Sequence, residues 1–276
     1  GSKWMRNILD FHTHAFPDKI AGKTIGFLSE KGGIPAYTDG TAEGLRTGLK
    51  EAGITLGIVL PVVTKPEQFA SVTRFAKQIN EEQNGLLSFG GIHPDTPDYK
   101  KELRELADEG FLGIKLHPDY QGVFFDDIRY MRIIEYATEL GLIVITHAGI
   151  DPGFPDLVRC TPKRVKDVLR EVKPEKLILA HMGGLGLQDE VLENLAGEQV
   201  YLDISYSMGH VSEEQFTTFC RAYGTEKILF ATDCPWGSPK KMAETFLSMP
   251  LTEEERDRIL FRNGEKLLGI TLSEMK

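Results

Sequence analysis

The chain has 276 residues, 41% hydrophobic and 26% charged, which is typical of a soluble globular protein. Its formal net charge of −9 argues against nucleic acid as a partner, because an acidic surface repels phosphate backbones. No segment approaches the roughly 18 apolar residues of a membrane span. Three cysteines outside any C-x-x-C pair indicate a reducing, cytoplasmic location rather than a disulfide framework. Gly1-Ser2 resembles a cloning remnant, and the fold prediction leaves it out.

Eight apolar segments of strand length recur along the chain. They are rich in Ile, Leu and Val, and several are apolar throughout, as strands buried on both faces are. They span residues 8–11, 54–63, 86–92, 112–116, 142–146, 176–180, 200–204 and 228–232.

Segments with apolar residues at three- and four-residue spacing separate these strands and follow the last one, which predicts helices. They span residues 41–51, 66–82, 99–107, 128–140, 163–172, 189–195, 213–222, 239–247 and 252–268. Thr161, followed by proline, and Ser212, followed by two glutamates, are typical helix N-caps. Residues 16–40 are glycine-rich and weakly patterned, which predicts a long loop, either an active-site lid or a plain surface loop.

Eight strand–helix pairs predict an α/β fold, a (β/α)8 TIM barrel that forms one domain over residues 1–276. An open, doubly wound sheet is the alternative. That fold usually carries a glycine-rich phosphate loop after its first strand, where this chain has Asp-Phe-His-Thr-His instead. The barrel places the functional site at the C-terminal ends of the strands.

Six of the seven histidines lie at or just beyond the C-terminal end of a predicted strand. Because these strand ends build the active site of a barrel, the clustering predicts a site rich in imidazole. The six are His12, His14, His93, His117, His147 and His181. The seventh, His210, is expected in a loop.

The first and last strands carry the elements of a metal site. His12 and His14 are two residues apart, so both imidazoles share one strand face and can reach one ion. Asp233 ends the eighth strand, which adjoins the first in a closed barrel, and a carboxylate there is costly unless paired or metal-bound. Asp233 is therefore either a ligand or the base that takes a proton from water. Asp10 is either an acceptor that fixes an imidazole tautomer or an ordinary buried aspartate.

The middle strands supply further candidates. His147 and His181 end adjacent apolar strands, which predicts that they converge. Lys115 and His117 share a strand face. Lys115 has three interpretations: it binds an anionic substrate group, it bridges two metals as a carbamate, or it pairs with a neighbouring carboxylate. His93 and Trp236 are expected to line the substrate pocket with Lys115 and His117.

Imidazole and carboxylate together suit Zn²⁺, Fe²⁺ or Mn²⁺, and we expect one divalent ion, zinc first. Such an ion can lower the pKa of a coordinated water to about 7. Asp233 or His181 can then shuttle the proton to the leaving group. No G-x-S-x-G motif offers a serine nucleophile instead.

As a set, these motifs resemble the amidohydrolase-2 branch of the amidohydrolase superfamily. The resemblance runs from residue 8 to about residue 270. It rests on the histidines and Asp233 and on three blocks: Gly-Ile-Lys-Leu-His-Pro, Thr-Asp-Cys-Pro-Trp and Ile-Leu-Phe-Arg-Asn-Gly-Glu-Lys-Leu-Leu-Gly. The resemblance implies one metal held by His12, His14, His147 and Asp233, with His181 orienting water or substrate. Binuclear relatives place a carbamylated lysine near the position of Lys115, with His147 and His181 on the second metal. Some members work without metal.

The same resemblance implies a small-molecule substrate, and three candidate functions stay open. The first is hydrolysis of an amide, ester or lactone by metal-activated water, which the short chain favours. The second is non-oxidative decarboxylation of an aromatic or enoic acid. The third is binding of a metal or ligand without turnover. A homodimer is the base-rate expectation for the assembly.

Overall fold

The computed structural model describes residues 7–275, so Gly1 and Ser2, predicted to be a cloning remnant, lie outside the described residues. Each of the eight predicted strand segments contains a strand, and the third is divided at Phe89 into β3 and β4. The strands are β1 (Leu9–Thr13), β2 (Leu56–Val59), β3 (Leu86–Ser88), β4 (Gly90–Gly91), β5 (Gly113–Leu116), β6 (Ile143–Thr146), β7 (Leu177–Leu179), β8 (Tyr201–Asp203) and β9 (Ile228–Leu229).

Each predicted helical segment contains a helix. The helices are α1 (Asp18–Gly32), α2 (Ala42–Glu51), α3 (Phe69–Glu82), α4 (Tyr99–Asp108), α5 (Pro118–Gln121), α6 (Ile128–Glu139), α7 (Pro162–Val172), α8 (Gln188–Leu195), α9 (Glu213–Tyr223), α10 (Pro239–Leu247), α11 (Glu253–Asp257) and α12 (Asn263–Leu268). A π-helical turn, Arg258–Arg262, joins the last two. Both predicted N-caps are confirmed, because the side chains of Thr161 and Ser212 each accept a hydrogen bond from the backbone N–H three residues on.

The prediction of a long loop over residues 16–40 is wrong. Fifteen of these residues form α1, which ends at Gly33 in the left-handed conformation. Only Ala21 of this helix is buried, while Ile20 and Phe27 are exposed. A helix without a continuous buried stripe, and with three glycines of its own, lacks the periodic pattern by which helices are recognised.

The described residues divide into two compact units, the first comprising residues 7–59, 79–87 and 203–275. In this unit β1 pairs in parallel with β2, Leu9 opposite Leu56. The backbone N–H of Phe11 also donates to the Phe230 carbonyl, and Thr13 forms a parallel bridge with Cys234. The chain after β9 is therefore hydrogen-bonded directly to β1, so His12, His14 and Asp233 lie close together.

The second unit comprises residues 60–78 and 88–202. Its strands β4 to β8 lie side by side in parallel, in chain order. β5, β6 and β7 are buried along their whole length, as parallel strands covered on both faces are. Their C-terminal ends lead into His117, His147 and His181.

A buried glutamine joins three backbone segments of this second unit. Gln121 Nε2 donates to the carbonyls of Val63 and Ile92, at 2.9 and 2.8 Å. Its Oε1 accepts from the His117 N–H and from the Tyr130 hydroxyl, at 3.2 and 2.6 Å. Every polar atom of this amide is thus engaged, which fixes the backbone around His117.

Gly149, two residues beyond His147, occupies a position in the same unit that only glycine fits without strain. Its φ is 78°, and a Cβ atom there would lie 2.5 Å from Gly184 Cα. We expect Gly149→Ala to lower the free energy of unfolding by about 2–4 kcal/mol, from backbone strain plus the clash. Gly110→Ala is the matched control, because its φ is 89° but a Cβ meets nothing within 4 Å. Urea unfolding of both variants checks this, and equal losses would contradict it.

All three cysteines, Cys160, Cys220 and Cys234, are free and buried. Burial raises the pKa of each thiol, that of Cys220 to about 12. Within residues 7–275, no helix is both long enough and apolar enough to cross a membrane.

Candidate metal centre

Three side chains of the first unit converge on one point. His12 Nε2 and His14 Nε2 lie 3.2 Å apart, and Asp233 Oδ1 lies 3.3 Å and 3.1 Å from them. Ligands that bind one small cation at about 2.1 Å, with angles of about 90–109°, lie about 3.0–3.4 Å from one another. The observed separations match this geometry, and the donor set of two imidazoles and a carboxylate suits a divalent metal.

Asp203 orients His12. The Nδ1 atom of His12 lies 2.9 Å from Asp203 Oδ2, and both residues are buried. Asp203 is in turn held by the backbone N–H and the hydroxyl of Ser205. Because the carboxylate accepts the Nδ1 proton, the Nε2 lone pair of His12 is left for a metal.

Asp233 is held in place by its backbone. Its N–H donates to the His12 carbonyl at 2.8 Å, and the His14 N–H donates to the carbonyl of Cys234. The φ of Asp233 is 66°, in the left-handed region that few non-glycine residues occupy. Such strain of about 1–3 kcal/mol concentrates at functional sites.

Asp10 is not the acceptor that fixes His12. Its carboxylate accepts from the backbone N–H of His12 and from the N–H and hydroxyl of Thr232. Burial raises its pKa to about 7, although the hydrogen bonds from Thr232 act to lower it. Asp10 therefore links β1 to the backbone just before Asp233, as an ordinary buried aspartate would.

We expect Asp203→Asn to weaken metal binding by about 10–100-fold, the usual cost of losing such an outer contact. An asparagine carries no charge and can turn its NH2 group towards His12, which would place the proton on the ligating nitrogen. Titration with Zn²⁺ or Mn²⁺, with circular dichroism as a check on folding, measures this. A well-folded variant with unchanged affinity would refute the assigned role.

In the second unit His147 lies between two other histidines. Its ring stacks on that of His117 at 4.5 Å between centroids and an angle of 5°, and it meets His181 edge-on at 5.1 Å. His181 has a φ of 58° and begins a short 3-10 turn. The predicted convergence of His147 and His181 is thus observed within this unit. That His147 binds the same ion as His12 and His14 stays a prediction.

The predicted substrate-binding residues differ in what surrounds them. Lys115 lies on β5 and its side chain is buried, at 1% exposure. His93 accepts a hydrogen bond at Nδ1 from the backbone N–H of Asp95. A hydrogen bond with the backbone of Thr64 engages His93 further. That His93 lines the substrate pocket stays a prediction. Carbamylation of Lys115 stays a prediction.

Trp236 lines a cleft in the first unit, of about 310 Å³, with Tyr37, Tyr206 and His210. The Trp236 N–H donates to the Asp233 carbonyl, which ties the cleft wall to the metal centre. His210 stacks on Tyr206 at 4.5 Å between centroids, in a loop after β8 as predicted.

Sequence reasoning missed Asp203, Asp119 and Asp151. Asp203 could have been found, because a carboxylate inside an apolar strand is costly unless it is paired. The same argument singled out Asp233 at the end of its strand. Asp119 lies in the short helix α5 after β5 and Asp151 in the loop after β6, where aspartates commonly cap and turn the chain. Their pattern gave no reason to single them out.

A comparison with protein families gives one match, to the amidohydrolase-2 family, described as Amidohydrolase, over residues 9–270. The chain belongs to the amidohydrolase family. The resemblance that the sequence motifs indicated is thereby confirmed over nearly its whole predicted extent. A comparison with curated proteins gives no match.

Solved structures place the amidohydrolase chain in a fold class. An uncharacterised TIM-barrel protein from Bordetella bronchiseptica has a TM-score of 0.74 at 18% identity, with 96% of this chain and 99% of the other covered. A dihydroxybenzoic acid decarboxylase from Polaromonas, with manganese and an inhibitor bound, has a TM-score of 0.71 at 17% identity, with 96% and 97% covered. A 5-carboxyvanillate decarboxylase from Novosphingobium aromaticivorans, also with manganese, has a TM-score of 0.73 at 14% identity, with 98% of each chain covered.

These similarities show the predicted (β/α)8 TIM-barrel fold and exclude the open-sheet alternative. The single-domain assignment stays a prediction.

Proposed function

We propose that this amidohydrolase is a divalent-metal-dependent hydrolase that uses activated water to attack an amide, ester or lactone carbonyl. The convergence of His12 Nε2, His14 Nε2 and Asp233 Oδ1 carries the proposal. Membership of the amidohydrolase family supports it.

His12, His14 and Asp233 would hold the ion, with His147 as the fourth ligand that the family resemblance implies. When bound, a divalent ion lowers the pKa of water towards 7 and polarises the substrate carbonyl. Zinc and manganese both fit a donor set of imidazole and carboxylate. Manganese is supported by the Polaromonas and Novosphingobium decarboxylases, which contain it.

The protein's own side chains would divide the remaining work. Asp233 has one carboxylate oxygen directed at the two imidazoles, and its carboxylate would accept the proton that the attacking water loses. His181 would orient water or substrate, and Lys115 would bind an anionic group of the substrate. Trp236 would form a wall of the substrate pocket.

The decisive experiment uses water labelled with oxygen-18. Enzyme loaded with zinc or with manganese is incubated with a panel of lactones, esters and amides in H2(18)O, and the products are analysed by mass spectrometry. A hydrolase incorporates one heavy oxygen into each new carboxyl group. Turnover without incorporation would contradict hydrolysis.

Non-oxidative decarboxylation is a second candidate because solved structures of similar fold are decarboxylases of dihydroxybenzoate and carboxyvanillate. The short chain, which favoured hydrolysis, no longer separates the two functions. The match covers 97–100% of the dihydroxybenzoate decarboxylase chains. Carbon dioxide release from hydroxylated benzoic acids tests this candidate directly. Tight metal binding with no turnover in either assay would favour the binding protein.

A further inference from the structure

The cleft of the first unit is walled by aromatic rings and thioether side chains. Tyr37, Tyr206 and Trp236 line it together with Met208 and Met242. Flat rings and polarisable sulfur atoms both make favourable contacts with another aromatic ring. Ligand sites usually measure about 300–1,000 Å³. At about 310 Å³ the cleft is at the small end of this range, so its volume suits a single ring.

The cleft is held beside Asp233 by the backbone. The Trp236 N–H donates to the Asp233 carbonyl at 2.8 Å, and the Tyr37 N–H donates to the Pro235 carbonyl at 2.7 Å. Burial raises the pKa of the Tyr206 phenol, and the nearby negative charge of Asp233 raises it further. A molecule in the cleft therefore lies next to the carboxylate that we propose as a metal ligand.

Tyr206 holds its place in the cleft wall with a strained backbone. Its φ is 59°, in the left-handed region that a bulky residue rarely occupies. Its ring stacks on that of His210, at 4.5 Å between centroids and an angle of 25°. Residues in such conformations concentrate at ligand-binding and catalytic sites. The strain and the stacking together indicate that the Tyr206 ring is fixed there for contact with a ligand.

The charges around the cleft disfavour one class of ring-bearing ligand. Aromatic walls alone would also suit an ammonium group, through cation–π contacts. Among the described residues that line the cleft, however, none carries a carboxylate, and Lys241 is the only lysine or arginine. Its ammonium group would repel a cationic ligand, while a bound metal ion would offset the charge of Asp233. The cleft therefore favours a neutral or anionic ring.

We propose that this cleft is a specificity pocket that receives a neutral or anionic aromatic ring of the substrate, with Tyr206 as the specificity-determining residue. The inference rests on the proposed function, because it concerns the substrate of that same metal centre. The substrate ring would contact Tyr206 and Trp236, which extends the role already proposed for Trp236.

Binding of matched probes tests the pocket without turnover. Zinc-loaded full-length protein is titrated with benzyl alcohol and with cyclohexylmethanol, and dissociation constants are obtained from the NMR signals of the ligands. The two alcohols have similar size and the same polar group, but only the first is flat. We expect benzyl alcohol to bind about fivefold more tightly. Equal affinities, or tighter binding of cyclohexylmethanol, would overturn the proposal.

The charge argument has its own test. Benzyltrimethylammonium carries a ring and a permanent positive charge that cannot coordinate a metal. We expect Lys241→Gln to bind this cation about threefold more tightly than the wild type does, because the repulsion is removed. Unchanged binding of the cation would contradict the assignment of neutral or anionic rings.

Two substitutions of Tyr206 separate its ring from its hydroxyl group. Tyr206→Phe keeps the ring and should retain the wild-type affinity for benzyl alcohol. Tyr206→Leu should lose about fivefold and with it the preference over cyclohexylmethanol. Phe27→Leu is the matched control, because Phe27 is exposed on α1 and does not line the cleft. Wild-type affinity in Tyr206→Leu, with folding verified by circular dichroism, would overturn the role of Tyr206.

The outcomes also separate this inference from the proposed function. Preferential binding of benzyl alcohol without oxygen-18 incorporation from any substrate would support the pocket and contradict hydrolysis. Hydrolysis of benzyl acetate and cyclohexylmethyl acetate with equal kcat/KM would do the reverse. Where both proposals hold, Tyr206→Leu should raise KM for benzyl acetate about fivefold and leave kcat nearly unchanged.

Discussion

His14→Ala and Asp233→Ala are each expected to lose the ion of the His12–His14–Asp233 centre and, with it, catalysis. Each change removes one of three donor atoms that lie within 3.1–3.3 Å of one another. The loss of metal affinity should therefore be greater than that caused by removing a residue that only orients a ligand, which is about 10–100-fold. Metal content by plasma mass spectrometry and turnover of an identified substrate measure the two effects.

His210→Ala is the control for metal content, because His210 is exposed and stacks on Tyr206 rather than on the ligands. It should retain its full metal complement. If both ligand variants keep the wild-type stoichiometry while remaining folded, the three converging side chains do not hold a metal. Their convergence would then need another explanation.

Gln121→Leu is expected to give a large loss of stability in the second unit. It removes the partner of two carbonyls, at Val63 and Ile92, and of the Tyr130 hydroxyl and the His117 N–H. Each buried polar group left unpaired costs about 1–3 kcal/mol. Because the surrounding structure relaxes and recovers part of this cost, we expect the free energy of unfolding to fall by about 3–6 kcal/mol in total. Urea unfolding, analysed as a free energy of unfolding, measures it.

The same substitution at Gln188 provides the comparison. Gln188 Nε2 has no hydrogen-bond partner among the described residues, so Gln188→Leu breaks no bond at that atom. Its effect should stay below about 1 kcal/mol, as for most changes away from a polar network. Comparable losses in the two variants would mean that the Gln121 network does not stabilise the second unit.

The strands and most helices could be predicted because their apolar spacing is a local property of the sequence. α1 could not, since it buries only Ala21 and so carries no periodic stripe. The histidines at the strand ends were predictable for the same reason as the strands, because their position follows from the element that precedes them.

The contacts between side chains were harder to predict from the sequence. Asp10 and Asp203 are both buried aspartates on strands, yet only Asp203 contacts His12 Nδ1. The distinction depends on which carboxylate meets the ring, a result of packing between segments that are 191 residues apart. The hydrogen bond at His117 Nδ1 likewise comes from a single backbone N–H, that of Tyr120 in α5.

The three buried thiols can report local unfolding of the protein around them. Only the thiolate reacts with alkylating reagents. Burial both raises the thiol pKa and blocks access, so Cys160, Cys220 and Cys234 should stay unmodified in the native protein. Their rates of alkylation would then measure how often each part of the chain opens. Cys160 reports on residues 88–202, and Cys220 and Cys234 report on residues 203–275. Mass spectrometry of labelled peptides would follow both units at once, with no engineered probe.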